Sequence, residues 1–173
     1  MWIYIYIYVE KGNRKPLGNS IEINGVKIQE IEEESTYKYL GMEESISYNN
    51  KMNKDNILKE YKRRLRRIWA SELNAYNKVI ATNMFAVPVV TYSFGVLRWT
   101  REDVLNFDKT TRKIMNMNNS LNRRSDIHRI YLPRKNGGRG LRNIEEEFLC
   151  KIVGIVDHLE KEKHKNTFMA KVL

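Results

Sequence analysis

The stretch Lys54-Asp55-Asn56-Ile57-Leu58-Lys59-Glu60-Tyr61-Lys62-Arg63-Arg64-Leu65-Arg66-Arg67-Ile68-Trp69 decides the fold class. Apolar residues recur at three- and four-residue steps, so Leu58, Tyr61, Leu65, Ile68 and Trp69, continued by Tyr76 and Ile80, define one apolar helical face. The helix either breaks near Ser71 or runs on. Lys59, Arg63, Arg66 and Arg67 fall on a neighbouring sector. Such a sector is ordinarily a solvated face. Here, however, six basic residues between Lys59 and Arg67 meet the single acid Glu60, which leaves little internal ion pairing and favours contact with phosphates.

Downstream the helical pattern continues. Asn77 to Leu97 is nearly uncharged and carries Met84, Phe85, Val87, Val89, Val90, Tyr92 and Phe94, so it is expected to be the most buried segment. Pro88 inside it should kink or split the helix. Thr100 with Asp103 three residues on is a helix start, with Trp99 and Val104 spaced as a hydrophobic staple. Asn118-Asn119-Ser120 ends that helix. Ser125 is the expected cap of a short helix through Ile130 and Tyr131, stopped before Pro133. Gly137-Gly138-Arg139-Gly140 is a tight turn among cations. It reads either as a phosphate cradle of backbone N–H groups or as a connection needing positive φ, and the second reading is favoured. Asn143 with Glu146 resembles a capping box opening a last helix through Phe148, Leu149, Ile152, Val153, Val156 and Leu159.

Upstream the period is two. Asn24-Gly25 between Ile21-Glu22-Ile23 and Val26-Lys27-Ile28 is a hairpin signal, and Lys11-Gly12-Asn13 marks another turn. In Met1 to Val9, Tyr4, Tyr6 and Tyr8 alternate with Ile3, Ile5 and Ile7, a strand whose two faces both need cover. It lacks the basic flank and cleavage site of a signal peptide and is far shorter than the ~20 residues that span a bilayer. The fold class expected is mainly α, a helical bundle with a small N-terminal hairpin and strand region. The divisions fall at 1–19 (strand and turn), 20–53 (hairpin and connector), 54–118 (helices), 119–160 (basic loop and helix) and 161–173 (polar tail).

Hydrophobic residues at 42% suffice for a core, while 31 Lys plus Arg against 21 Asp plus Glu give +10. That excess points to a polyanionic partner, because cations placed near phosphates release condensed counterions. Cys150 is the only cysteine and the three histidines have no metal-ligand spacing, so a thiolate zinc site and an intrachain disulfide are excluded. An intracellular location, nuclear or cytoplasmic, follows from this. No phosphate-binding P-loop, metalloprotease helix or nucleophile elbow occurs. Two-metal phosphoryl transfer needs carboxylates placed to hold both ions, and the chain has no adjacent Asp-Asp. Asp55, Asp103, Asp108, Asp126 and Asp157 are accounted for by capping and solvation, and the acidic cluster at Glu32 to Glu34 by a solvated turn. No catalytic residue, metal site, cofactor, small-molecule substrate or membrane partner is expected.

Three stretches carry a family resemblance. Tyr37-Lys38-Tyr39-Leu40-Gly41 after a hairpin resembles the segment closing the palm of non-long-terminal-repeat retrotransposon reverse transcriptases. Ala86-Val87-Pro88-Val89-Val90-Thr91-Tyr92-Ser93-Phe94-Gly95, followed by Trp99 and a helix with Asp108 and Arg112, is similar to the thumb of that family. Ile130-Tyr131-Leu132-Pro133-Arg134 with Gly137-Gly138-Arg139-Gly140-Leu141 resembles a signature just beyond it. Together they cover roughly residues 20 to 150, in the family's order. The nearest likeness is to the lineage encoding one large polyprotein with a restriction-like endonuclease.

The family's catalytic aspartates lie upstream of the hairpin and have no counterpart here, and the strand at residues 2 to 9 matches nothing in the family pattern. The resemblance therefore implies a truncated RNA-directed DNA polymerase, palm edge plus thumb, unable to polymerise alone. Mg2+ would belong to the missing palm, and the partners would be the missing palm and fingers and an RNA–DNA duplex or RNA. Gripping is directed to the backbone. It assigns Lys59, Lys62, Arg63, Arg66 and Arg67 as principal contacts and Arg123, Arg124, Arg134, Lys135 and Arg139 as a second surface. The competing readings are an inert structural or interaction module and a standalone basic nucleic-acid-binding protein.

Overall fold

A computed structural model describes residues 50 to 162 throughout and eight short strands before them. Two compact units divide at Asn49 and Asn50. In the first, β4 (Glu22–Ile23) and β5 (Val26–Lys27) pair antiparallel with Ile23 opposite Val26, the pairing expected of the hairpin. The turn residues expected at 24 and 25 lie outside the described residues. β2 (Val9–Glu10) and β3 (Asn13–Arg14) also pair antiparallel, as do β7 (Tyr37–Tyr39) and β8 (Met42–Glu44). β1 (Ile5–Tyr6) runs parallel to β6 (Gln29–Glu30). The rest of the expected Tyr/Ile strand, its side chains and the polar tail from residue 163 lie outside the described residues.

The second unit is helical, which fixes the class as mainly α among the described residues. α1 spans Asn50–Ala70 and stops at Ser71, where a Ser-hydroxyl hydrogen bond to the Ile68 carbonyl closes the last turn. It buries Asn53, Ile57, Tyr61, Leu65 and Trp69, a strict four-residue ridge. The sequence face differs from this at its edges: Leu58 and Ile68 are half-buried and Tyr76 is 48% exposed. A row of residues four apart is inclined to the helix axis, so the buried face winds round α1 along its length. Tyr76 belongs to a new helix, α2 (Ala75–Ala81), whose cap Asn74 accepts from the Asn77 N–H at 2.8 Å.

Pro88 has no N–H for the carbonyl four residues back, and its ring crowds that carbonyl. The backbone answers with one wide turn. The Val87 N–H reaches the Thr82 carbonyl, closing a π-turn over Thr82–Ala86 before α3 (Val87–Thr91) and a 3₁₀ turn (Tyr92–Gly95). In the segment expected to be the most buried, burial is confined to one face. Val79, Ala86, Val87, Val90, Phe94 and Leu97 are buried, but Met84, Phe85, Tyr92 and Val96 are all more than half exposed. An apolar helix lying on one side of a small bundle still turns one face outward.

α4 (Arg101–Met117) opens with the expected capping box. Thr100 and Asp103 exchange hydrogen bonds at 3.2 Å, and Trp99 turns edge-on to Phe107 at 5.3 Å. The short α5 (His128–Tyr131) is not capped by Ser125, whose hydroxyl donates to the Asn122 carbonyl. The Asp126 carboxylate accepts from the His128 N–H instead, at 2.9 Å. α6 (Ile144–Glu162) packs on α4, α3 and the 3₁₀ turn, and its Phe148 meets Phe94 at 5.1 Å. Beyond it Leu149, Ile152, Val153 and Val156 are exposed.

Candidate nucleic-acid interface

Tyr61 joins α1 to α4. Its ring meets Phe107 edge-on at 5.2 Å, and its hydroxyl donates to Thr111 Oγ1 at 2.6 Å, since the Thr111 proton is already given to the Phe107 carbonyl. Burial pushes the Tyr61 hydroxyl pKa well above the usual phenol range. Nearer the helix starts, Lys54 Nζ lies 2.6 Å from Asp103 Oδ2 and sits over the Trp99 ring; that ammonium, hydrogen-bonded to it, is the main reason the Asp103 carboxyl is held low. Early residues pair with early and late with late, so α1 and α4 run in the same sense.

This arrangement sets basic side chains on both lips of one groove. Lys62 and Arg66 of α1 and Lys109 and Lys113 of α4 line about 300 Å³, with Asn106 and Thr110 between them. Lys109 and Lys113 also line a wider groove of about 640 Å³, completed by Arg112, Asn116, Asn119 and Arg123. The two are therefore contiguous around α4. Among the described residues no carboxylate lines either one. A trough of cations with amide and hydroxyl groups among them, and no acid, is chemically suited to phosphate oxygens.

Of the residues assigned from sequence, Lys62 and Arg66 line the first groove and Arg123 the second. Lys59 is exposed one turn before Lys62 on the same stripe. Arg63 is bound by two hydrogen bonds of 2.6 Å to Glu60, which also accepts from Arg64 Nε at 2.8 Å; these two guanidiniums hold the Glu60 carboxyl down at about 2. Arg64 also donates to the Phe85 carbonyl at 2.7 Å. Arg67 is exposed and lines neither groove, being turned about 100° round the helix from Arg66. Arg124 and Lys135 are exposed outside the grooves, while Arg134 and Arg139 line a different cavity. Sequence reading missed Lys109, Arg112 and Lys113. Their i, i+3, i+4 spacing was the available signal, but three cations in mixed surroundings did not stand out beside six in succession.

Arg112 is placed from within the core. Its Nη1 donates to the Tyr131 hydroxyl at 2.7 Å, and that hydroxyl donates to Asp108 Oδ1 at 3.3 Å. Asp108 in turn accepts from the Ile144 and Glu145 N–H groups at 3.3 Å each, capping α6 from the neighbouring helix. Burial raises the Asp108 pKa, opposed by those two N–H groups and by Arg112. Burial, with Asp108 beside it, pushes the Tyr131 hydroxyl up to about 12.

The glycine turn is structural. The N–H groups of Gly137, Gly138, Arg139, Gly140 and Leu141 all donate to backbone carbonyls between Arg129 and Arg134, so none is free to cradle phosphate. Gly137 and Gly140 adopt φ of 78° and 74°. At Gly138 a Cβ would stand 1.9 Å from the Leu132 carbonyl oxygen. The loop is pinned to the π-turn by Asn83, which donates to the Gly140 carbonyl at 2.8 Å and accepts from the Arg142 N–H at 3.0 Å.

Among the described residues no three His, Cys, Asp or Glu side chains gather as metal ligands, and no helix is long and apolar enough to cross a membrane. No protein-family model matches the chain, and no curated protein or solved structure matches it either.

Proposed function

We propose that this chain binds the phosphate backbone of an RNA–DNA duplex through the α1–α4 grooves. On this reading it is a thumb-like module of a non-long-terminal-repeat retrotransposon reverse transcriptase, without catalytic aspartates of its own. The observation carrying it is the pair of contiguous grooves lined by Lys62, Arg66, Lys109, Arg112, Lys113 and Arg123, with no carboxylate among the described residues. Binding of this kind positions a duplex and does not read its sequence. Mg2+ chemistry would belong to a palm outside this chain. A second reading, an inert module docked on other parts of a polymerase, draws on the exposed Leu149, Ile152, Val153 and Val156 of α6.

Titration with an RNA–DNA duplex between ~50 and ~200 mM salt tests the proposal. Each phosphate neutralised contributes about 0.9 to the slope of log affinity against log salt, so six cations give up to about 5 and a roughly 10³-fold fall across that range. Lys109→Ala with Lys113→Ala should lower the slope by about 1.8, while Arg67→Ala leaves it unchanged. If the folded protein shows no binding at ~50 mM salt, the docked-module reading replaces this one. Any primer extension by the chain alone would overturn its non-catalytic assignment.

A further inference from the structure

The cavity of about 460 Å³ between the loop before α5 and the glycine turn adjoins the wider groove at Leu121 but shares none of its cations. Arg129, Arg134 and Arg139 line it, with Ser125 and Asp126 at its edge and Ile130 and the glycine backbone forming wall. Arg129 was not singled out from the sequence. Each guanidinium is already positioned. Arg129 Nε donates to the Gly137 carbonyl at 3.3 Å, Arg139 Nη1 donates to the Ser120 carbonyl at 2.6 Å, and Arg134 stacks 4.3 Å from the centre of the Tyr76 ring. An arginine has five N–H donors, so these contacts leave most of each fork unused. Among the described residues Asp126 is the one carboxylate in the lining, which leaves an excess of positive charge there.

We propose that this cavity binds a phosphate monoester, either the phosphorylated end of a nucleic-acid strand or a free mononucleotide. A monoester carries about −1.5 to −2 at pH 7 and three terminal oxygens, acceptors suited to the guanidinium N–H donors of a cavity lined by three arginines. A terminal monoester carries more charge than a chain diester, and so is the better match to a cavity lined by three arginines and, among the described residues, one carboxylate. The site does not depend on the groove reading.

The test compares a short single-stranded DNA carrying a 5′-phosphate with the same strand carrying a 5′-hydroxyl, and AMP with adenosine, by isothermal titration. The phosphorylated strand should bind about tenfold more tightly. Arg129→Gln keeps a donor for the Gly137 carbonyl but removes the charge, and should abolish that preference while leaving the hydroxyl strand unaffected. Asp126→Asn keeps an acceptor for the His128 N–H and should tighten phosphate binding about threefold, a gain that misfolding does not produce. A preference for AMP over adenosine without a strand preference identifies the free nucleotide as the ligand. Equal binding within both pairs overturns the proposal, and if the two strands then bind equally well the groove reading still stands. If neither strand binds, AMP against adenosine alone decides the cavity, and the duplex titration decides the grooves separately.

Discussion

Removing the Asp108 carboxylate should show how far one buried acid holds the α4–α6 corner. In Asp108→Ala the Ile144 N–H loses the acceptor that it has at 3.3 Å, and Ile144 is 1% exposed, so water does not replace it. An unpaired buried donor costs about 1–3 kcal/mol. The Glu145 N–H keeps the Asn143 oxygen at 2.9 Å, so the second lost contact adds little. The Tyr131 hydroxyl loses its acceptor, and a small void remains where the carboxylate stood. The total is about 3 kcal/mol, or roughly a 12 °C fall in Tm for a helical unit of this size. Asp108→Asn retains an oxygen for Ile144 and sheds a charge that burial disfavours, so it should stay within about 1 kcal/mol of the parent. Urea unfolding of the full chain at pH 7, followed by helical circular dichroism, measures both variants. A loss below about 1 kcal/mol for alanine, or equal losses for alanine and asparagine, would refute the argument.

Gly138→Ala should destabilise by more than about 3 kcal/mol because its Cβ meets a backbone oxygen, whereas Gly137→Ala meets nothing and costs only about 1 kcal/mol for its positive φ; paired thermal melts distinguish them. Tyr61→Phe removes a buried hydroxyl bond while Thr111 keeps its own bond to Phe107, so a loss of about 1 kcal/mol is expected from the same unfolding assay. Glu60 and Asp103 have lowered pKa values in the folded chain. Their contribution is therefore full above the ordinary carboxyl range and lost as pH falls through the folded values, for Glu60 between about 4.5 and 2. Asp108 has the opposite sign, since its raised value gives stability that is present at low pH and lost as pH rises through it. Tm followed from pH 6 to 2 should accordingly fall less in Glu60→Gln with Asp103→Asn, and fall more steeply in Asp108→Asn, than in the parent.

The parts legible in the sequence are those governed by near neighbours. Ile23 pairs with Val26 because the alternating runs on either side are only two residues apart, and Thr100 with Asp103 starts a helix because cap and partner stand three apart. Pro88 disturbs its helix through a carbonyl one turn away. The mainly α class and the basic sector of α1 follow from periodicity and charge alone. Which cations act together is a different matter. Lys62 and Arg66 face Lys109 and Lys113 only because Tyr61 packs against Phe107 and bonds to Thr111, drawing α4 alongside α1 in the same sense. Arg63, prominent in sequence, is taken by Glu60, and Arg67 is carried away by the helical turn. The glycine turn lost its phosphate-cradle reading for a tertiary reason as well, since its N–H groups are spent on carbonyls up to ten residues back. Charge density is thus a property of the sequence, but a groove is a relation between helices, and buried side chains from both of them set that relation.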